Sequence, residues 1–169
     1  AGRTLTVLTS VGGLFKAVTG AAAATYSDNG GSYCGTQFIP TGGDGSTAWV
    51  RDYNESVNVR WFGAEGDGIT DDAAAIQAAI DTGGAIYIPH GDYLVNTFTS
   101  TLDDALNSAI LISNDVTIIF DGTITSTTIS VTNVIFGIDG TSGAINVELI
   151  RPKFAGAVRH RAIHGTVIA

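Results

Sequence analysis

The stretch RWFGAEGDGITDDAAAIQAAID, Arg60 to Asp81, decides the fold. It begins with bulky apolar residues, passes a Gly-Asp-Gly turn and continues into an alanine-rich segment headed by two aspartates. Apolar residues at helical spacing predict a short helix with one narrow buried stripe, made of Ala75, Ile76, Ala79 and Ile80. Thr70 is a suitable cap for this helix, and Asp71 and Asp72 would then lie in its first turn, where the helix dipole favours carboxylates. Gly83-Gly84 would end the helix.

Three chemical interpretations of GDGITDD are weaker than this structural one. An EF-hand loop needs oxygen ligands at alternating positions and a final glutamate, and a phosphate loop needs a lysine after its glycines. Neighbouring aspartates at a helix start point in different directions, so Asp71 and Asp72 do not form a dyad that shares a proton. We therefore predict no metal site and no cofactor here. Gln77 lies on the face beside the buried stripe, and Gln77→Glu should be tolerated within roughly 0.5 kcal/mol if that face is solvated.

The composition narrows the class of protein. The chain has 169 residues, 22 glycines, 44% hydrophobic residues and only 14% charged residues, which suits short strands joined by tight turns. Its net charge of −8 makes nucleic acid an unsuitable partner. No segment approaches the roughly 20 consecutive apolar residues of a membrane span, and no signal peptide is recognisable, so we expect a soluble protein. The single cysteine, Cys34, excludes an internal disulfide and is interpreted as a structural thiol.

Two regions separate on composition, and we place their boundary between residues 55 and 56. Residues 1–55 alternate short apolar runs with glycine-rich turns and predict a small β module, with strands at residues 4–8 and 37–39. Residues 56–169 hold the helix and then many short strands, in which inward and outward residues alternate, as in Val116-Thr117-Ile118. This pattern predicts a coiled parallel sheet whose first coil is covered by the helix.

The residues of this motif carry a family resemblance. VNVRWFGAEGDGITDDAAAIQAAID (57–81) and GGAIYIPHGDYLV (83–95) resemble the entry motif of pectate-lyase-like right-handed β-helices, which include phage tailspikes, capsule depolymerases, hydrolases and epimerases. The resemblance implies a mainly β fold, with a small N-terminal β module, a capping α-helix and the first coils of a right-handed parallel β-helix. The preceding segment, residues 26–53, resembles the small domain before the β-helix of many tailspikes, with its DNGG turn and its Trp-Val-Arg-Asp-Tyr end.

These resemblances imply the N-terminal part of a bacteriophage tailspike, a homotrimer that joins a virion tail or baseplate protein to a β-helix acting on bacterial surface polysaccharide outside the cell. A truncated secreted lyase, hydrolase or epimerase and a sugar-binding module without turnover are the alternatives. The resemblance implies that the catalytic carboxylates lie on later coils or at subunit boundaries. We therefore assign no catalytic residue, expect the chain to be an N-terminal fragment and expect it to be inactive alone.

Several residues remain as candidates for chemistry. A glycosidase needs two carboxylates, and those of the coil region are Asp103, Asp104, Asp115, Asp121, Asp139 and Glu148. We interpret Asp121 and Asp139 as turn residues before glycine and Glu148 as an outward residue on a strand. A lyase needs a cation to neutralise a uronate, for which the candidates are Arg151, Arg159 and Arg161.

Other side chains have a structural and a functional interpretation. His160 and His164 would share a face only in a helix, and a third metal ligand is not evident. Asn54-Glu55-Ser56 is a formal glycosylation sequon of the kind that occurs by chance. Four aromatic residues could stack on sugars, although we favour a place in the seam between the β module and the β-helix: Trp49, Tyr53, Trp61 and Tyr93.

Overall fold

The computed structural model describes residues 4–6, 13–29, 33, 35–40, 45–103, 106–128, 133–139 and 144–156. Over these ranges the chain forms strands β1 to β15 and helix α1, together with two short 3-10 helices. Some sequence-predicted candidates lie outside the described residues, and these are Cys34, Asp104, Arg159, His160, Arg161 and His164.

The first four strands form one antiparallel sheet in the order β1-β2-β4-β3. They are β1 (Thr4–Thr6), β2 (Leu14–Thr19), β3 (Gln37–Phe38) and β4 (Thr47–Arg51). β3 is one residue shorter than the predicted strand at residues 37–39, whereas residues 7 and 8 of the predicted strand at 4–8 lie outside the described residues. A 3-10 helix, Gly20–Thr25, connects with the end of β2. We call this sheet and its loops the β module.

The later strands form three sheets, and the chain visits them in turn. The first holds β5 (Val57–Asn58), β7 (Gly84–Ile88), β11 (Val116–Phe120) and β14 (Val147–Ile150). The second holds β6 (Asp67–Asp71), β8 (Asp92–Leu94), β12 (Thr123–Ser126) and β15 (Phe154–Gly156). The third holds β9 (Ser100–Asp103), β10 (Leu106–Ile112) and β13 (Asn133–Ile138). All pairs are parallel except β9 with β10. The predicted parallel β-helix is confirmed.

One residue per coil builds the inner stack of the first sheet. The register aligns Val57 with Ile86, Ile86 with Ile118 and Ile118 with Leu149. The first three are buried, whereas Leu149 on the last described coil is 38% exposed. Burial of each such side chain stabilises the fold by about 1.5–3 kcal/mol, so successive coils stabilise one another. The predicted alternation in β11 is confirmed, because Val116, Ile118 and Phe120 are buried.

Helix α1 (Ala73–Ile80) takes the place of a third-sheet strand in the first coil. Of its predicted stripe, Ile76, Ala79 and Ile80 are buried and Ala75 is partly buried. The condition for a tolerant Gln77, a solvated face, is not met, because this side chain is partly buried. Its side-chain amide donates to the Leu111 carbonyl at 2.8 Å and accepts from the Leu111 N–H at 2.7 Å. Because an amide side chain has the same donor and acceptor as a peptide, Gln77 pairs with β10 as a strand would.

The predicted helix start is also wrong. Thr70 belongs to β6 and the helix begins at Ala73, so Asp71 and Asp72 precede the first turn. The carboxylate of Asp67 accepts from the N–H groups of Ile69 (2.8 Å) and Thr70 (2.7 Å), which holds this backbone out of the helix. The predicted stop is confirmed, because the helix ends at Ile80 and the Gly83 N–H donates to the Ile80 carbonyl.

Candidate functional site

The two aspartates before α1 bind backbone groups. Asp72 is 1% exposed, and its carboxylate accepts from the N–H groups of Glu65 (2.7 Å) and Gly66 (3.1 Å). Burial is the main reason that the pKa of Asp72 is raised. Asp71 accepts from the N–H groups of Ala73 and Asn96, at 3.1 and 3.3 Å. Asp72 therefore ties the first coil together, and Asp71 connects the start of the helix to the residues after β8.

The β module meets the first coil at a seam built around Arg51. This residue is 5% exposed, and its guanidinium lies 4.5 Å from the ring centroid of Phe15 and 4.4 Å from that of Trp61. Its Nε donates to the Gly35 carbonyl at 2.8 Å. Tyr53 packs edge-on against Trp61, with ring centroids 5.3 Å apart. The seam interpretation of Tyr53 and Trp61 agrees with these contacts.

The two remaining aromatic candidates differ in their burial. Trp49 lies in β4 and is partly buried. Tyr93 is completely buried inside the coils, and its hydroxyl accepts from Nε of Arg60 at 3.2 Å. Burial raises the pKa of Tyr93. Tyr93 is therefore a core residue that no polysaccharide can contact.

The candidate site lies at the turns between the first and second sheets, where three successive coils bring together Tyr87, Asp121, Arg151 and Lys153. We call these four residues the corner cluster. The Tyr87 hydroxyl donates to Oδ2 of Asp121 at 2.7 Å, and Arg151 pairs with Oδ1 at 3.0 Å. The Lys153 ammonium donates to the Asp121 carbonyl at 3.1 Å. As predicted, Asp121 is a turn residue, directly after β11.

The charges of the corner cluster suit binding better than proton transfer. The hydrogen bond from Tyr87 lowers the pKa of Asp121, and Arg151, Lys153 and His90 act in the same direction. The same hydrogen bond raises the pKa of Tyr87, so its hydroxyl stays protonated at neutral pH and is no base. Asp121 is accordingly a fixed anion that orients Arg151, which is 61% exposed and could face an anionic sugar.

Neither Asp115 nor Glu148 completes a catalytic pair with Asp121. Asp115 lies at the opposite end of β11, about 20 Å away at the usual rise of a strand. It accepts from the Asn146 N–H at 2.8 Å, which lowers its pKa. Glu148 faces outward as predicted, beside the Thr117 hydroxyl at 3.4 Å. Asp103 ends β9 and Asp139 follows β13. None of these contacts provides the protonated carboxyl that a glycosidase acid requires.

No group of three His, Cys, Asp or Glu side chains is arranged to hold a metal ion within the described ranges. In the same ranges, none of the helices has the length and apolar character needed to cross a membrane.

Sequence reasoning missed the residues that matter most in these contacts. Tyr87 and Lys153 lie one coil before and one coil after Asp121, and only an alignment of successive coils would have grouped them. Arg51 and Gln77 carry no local signal for burial, because charged and amide side chains are ordinarily exposed.

A sequence model of the family described as rhamnogalacturonase A/epimerase, pectate lyase-like, matches residues 56–143. Alginate lyase 7 of Azotobacter vinelandii is 47% identical over 70 residues, which cover 38% of this chain and 8% of that protein. The preneck appendage protein of Bacillus phage PZA is 45% identical over 40 residues, covering 24% of this chain and 5% of that protein.

Among solved structures, the enzymatically active domain of tailspike protein 2 from bacteriophage CBA120 aligns with 85% of this chain and 24% of its own, at a TM-score of 0.55 and 21% identity. At that identity the likeness establishes the fold alone. The chain thus spans less than a tenth of the length of these two curated relatives and about a quarter of this structure.

Proposed function

Because this chain belongs to the rhamnogalacturonase A/epimerase, pectate-lyase-like family, we propose that it is the N-terminal part of a bacteriophage tailspike. In this proposal residues 1–55 are a connector domain on the virion side, and residues 56–169 begin a right-handed β-helix that binds and degrades bacterial surface polysaccharide. The partners are two further copies of the chain in a homotrimer and a tail or baseplate protein. The protein is part of the virion and acts outside the cell, without a cofactor, nucleic acid or membrane.

The observation that carries this proposal is the Arg51 seam. A freely hinged appendage needs only a polar linker, whereas here a buried guanidinium lies between Phe15 of the module and Trp61 of the first coil. Such a seam transmits the orientation of one part to the other. Rigid coupling is what an adsorption protein requires, since the β-helix must be presented to the cell surface at a fixed angle to the virion.

Two further points support the proposal. The preneck appendage protein, which is 45% identical to this chain over 40 residues, is a phage protein. In addition, the one carboxylate of the corner cluster, Asp121, has a lowered pKa and is already paired with Tyr87 and Arg151, which fits a chain that is inert by itself. The depolymerase activity would then belong to coils beyond those described.

Light scattering coupled to gel filtration, together with a sugar-release assay, tests this proposal. We expect three times the chain mass over a wide concentration range and no release of reducing ends or unsaturated uronates from capsules, lipopolysaccharides or alginate. Trp61→Ala should detach the module, and Leu14→Ala, an exposed position on β2, serves as the control.

A secreted lyase or epimerase is the second candidate, favoured by the 47% identity with alginate lyase 7. A monomer that forms unsaturated uronates from alginate would establish it and overturn the tailspike proposal. A monomer without activity would also contradict the proposal that this chain is part of a trimeric tailspike.

A further inference from the structure

A polar cleft lies beside the seam, between the β module and the end of α1. Its volume is about 540 Å³, within the range of roughly 300–1,000 Å³ typical of small-molecule sites. The module contributes Asn29, Gln37 and Tyr53 to its walls, and the helix end contributes Ala78, Asp81 and Thr82. We call this the seam cleft. None of these residues belongs to the corner cluster.

The walls of the seam cleft are fixed before any ligand binds. The Asn29 carbonyl oxygen Oδ1 accepts from the N–H groups of Thr36 (2.9 Å) and Gln37 (3.2 Å), and its Nδ2 donates to the Thr36 hydroxyl at 2.5 Å. On the opposite wall, Oδ1 of Asp81 accepts from the Gln77 amide at 2.6 Å. Gln77 is itself anchored on Leu111, so this wall is tied to the β-helix.

Several polar groups remain to bind a ligand. Within the described part of the chain, neither the side-chain amide of Gln37 nor the phenol of Tyr53 has a hydrogen-bond partner. The second carboxylate oxygen of Asp81 is not used by Gln77. The Thr82 hydroxyl donates to the Ala79 carbonyl at 2.7 Å, which leaves its oxygen as an acceptor. The cleft therefore offers both donors and acceptors on two facing walls.

An aromatic ring completes the arrangement. Tyr53 is 42% exposed, and its contact with Trp61 holds the ring in place. A fixed aromatic ring with an apolar face and a polar edge suits the C–H face of a pyranose, whose hydroxyls need partners at the rim. The described lining has one carboxylate and no cation, so it disfavours uronates, sulfated sugars and phosphates.

From this combination we propose that the seam cleft binds an uncharged saccharide, stacked on Tyr53 and hydrogen-bonded by Gln37, Asp81 and Thr82. The proposal is independent of the tailspike assignment, because it concerns a different surface and a binding event without turnover. It also distinguishes the two sites chemically, since the corner cluster presents cations and the seam cleft presents none among its described residues.

Titration of the intact chain with oligosaccharides tests the proposal, using Trp61 fluorescence and saturation-transfer NMR. The probes are neutral oligomers of glucose, galactose and N-acetylglucosamine, with oligogalacturonate and oligomannuronate as acidic counterparts. We expect at least one neutral series to bind and the acidic ones not to bind. Tyr53→Ala should weaken the binding by about tenfold or more, as expected for loss of a stacking ring, and Tyr53→Phe by less.

The matched control is Leu14→Ala, at an apolar position of similar exposure outside the cleft. Asp81→Asn keeps the acceptor for Gln77 and provides a second test if Tyr53→Ala fails to fold; it should weaken the binding severalfold. Absence of binding across the neutral series, or preference for the acidic oligomers, would overturn the proposal. So would a lower oligomeric mass of Tyr53→Ala without any sugar effect, because the cleft would then be an interface between copies.

Discussion

The coils and the β module differ in how their strands are held. In the first two sheets of the coil part, each strand lies on the strand one coil earlier, and the inward residues of one coil pack on those of the next, as Ile86 packs on Ile118. In the β module, antiparallel backbone pairing is supplemented by the contacts of a few polar side chains. Arg51 lies between Phe15 and Trp61, and Asn29 binds two backbone N–H groups.

This difference predicts two kinds of sensitivity. A repeating stack distributes its stability over many similar contacts, so damage to one coil affects its neighbours and the coil part should unfold as one unit. The module concentrates its attachment in one buried cation. Loss of that cation should release the module while the coils remain folded.

The largest effect is expected from a charge in the coil core. Ile76 is completely buried on α1, so Ile76→Asp leaves an unpaired carboxylate against the first coil and should cost about 3–5 kcal/mol, enough to unfold the chain. Ile69→Asp is the control, because Ile69 is 81% exposed, and it should change stability by less than about 0.5 kcal/mol. Circular dichroism and thermal denaturation measure both. Equal damage from the two variants would refute the assignment of the buried face of α1.

The second effect concerns the seam alone. Arg51→Leu removes two cation–π contacts and a buried hydrogen bond, and should weaken docking of the module by about 2–4 kcal/mol. Limited proteolysis should then cleave the first 50 or so residues faster and leave the coils intact. Lys16→Leu removes an exposed ion pair with Asp52 and should have little effect. Simultaneous loss of module and coils would show that the two parts are not separable in this way.

A smaller effect is expected at the helix edge. Gln77→Glu replaces the donor to the Leu111 carbonyl by a repelling oxygen and should cost about 1–3 kcal/mol. Hydrogen exchange at the Leu111 amide should accelerate as well, because its acceptor is no longer held in place. Ala74→Glu, on the exposed side of the same helix, is the control. Unchanged exchange at Leu111 in Gln77→Glu would contradict the strand-like role of Gln77.

The smallest effect is expected in the corner cluster, where the side chains are exposed. The pKa of Asp121 is lowered below 3.8, so its contribution to stability is present above that pH and is lost as the pH falls through the lower folded value. Asp121→Asn should therefore reduce stability slightly at pH 7 and remove part of the acid sensitivity.

Denaturant titrations from pH 2.5 to 7 measure the free energy of unfolding of the parent and of Asp121→Asn, with Glu55→Gln as the control. The raised pKa of Asp72 has the opposite effect on how stability changes with pH. Asp72 is present in both proteins, so its contribution cancels when the stability of the variant is subtracted from that of the parent. If the stability of Asp121→Asn rises with pH as steeply as that of the parent, then Asp121 does not have a lowered pKa in the folded protein.

Period-two and helical patterns made the coil core predictable from sequence. Val116, Ile118 and Phe120 alternate with polar or outward residues, and Ile76 and Ile80 recur one turn apart, so burial of both sets follows from local spacing. The end of the helix was also predictable from local sequence, because glycine readily adopts the left-handed backbone that ends a helix. Gly83 and Gly84 do so, with φ angles of 71° and 74°.

The remaining features depend on contacts that spacing does not encode. The helix starts later than predicted because the Asp67 carboxylate accepts from the Thr70 N–H. The sequence alone did not favour a Thr70 cap over this contact. The corner cluster and the Arg51 seam join residues that are far apart in the chain, and their distances depend on the number of residues in each coil and loop. In both cases the residue types were known from the sequence, but the sequence did not indicate which residues would lie next to each other in the fold.

The pairing of Gln77 with Leu111 has a consequence for how such a chain can lengthen. On the edge of β10 that faces away from β13, the first part is bonded to β9 and Leu111 is bonded to the helix, so that edge has little free backbone to accept another strand. Another strand could therefore pair with this edge of β10 only after α1 had been displaced, so the helix acts as a stopper at the first coil.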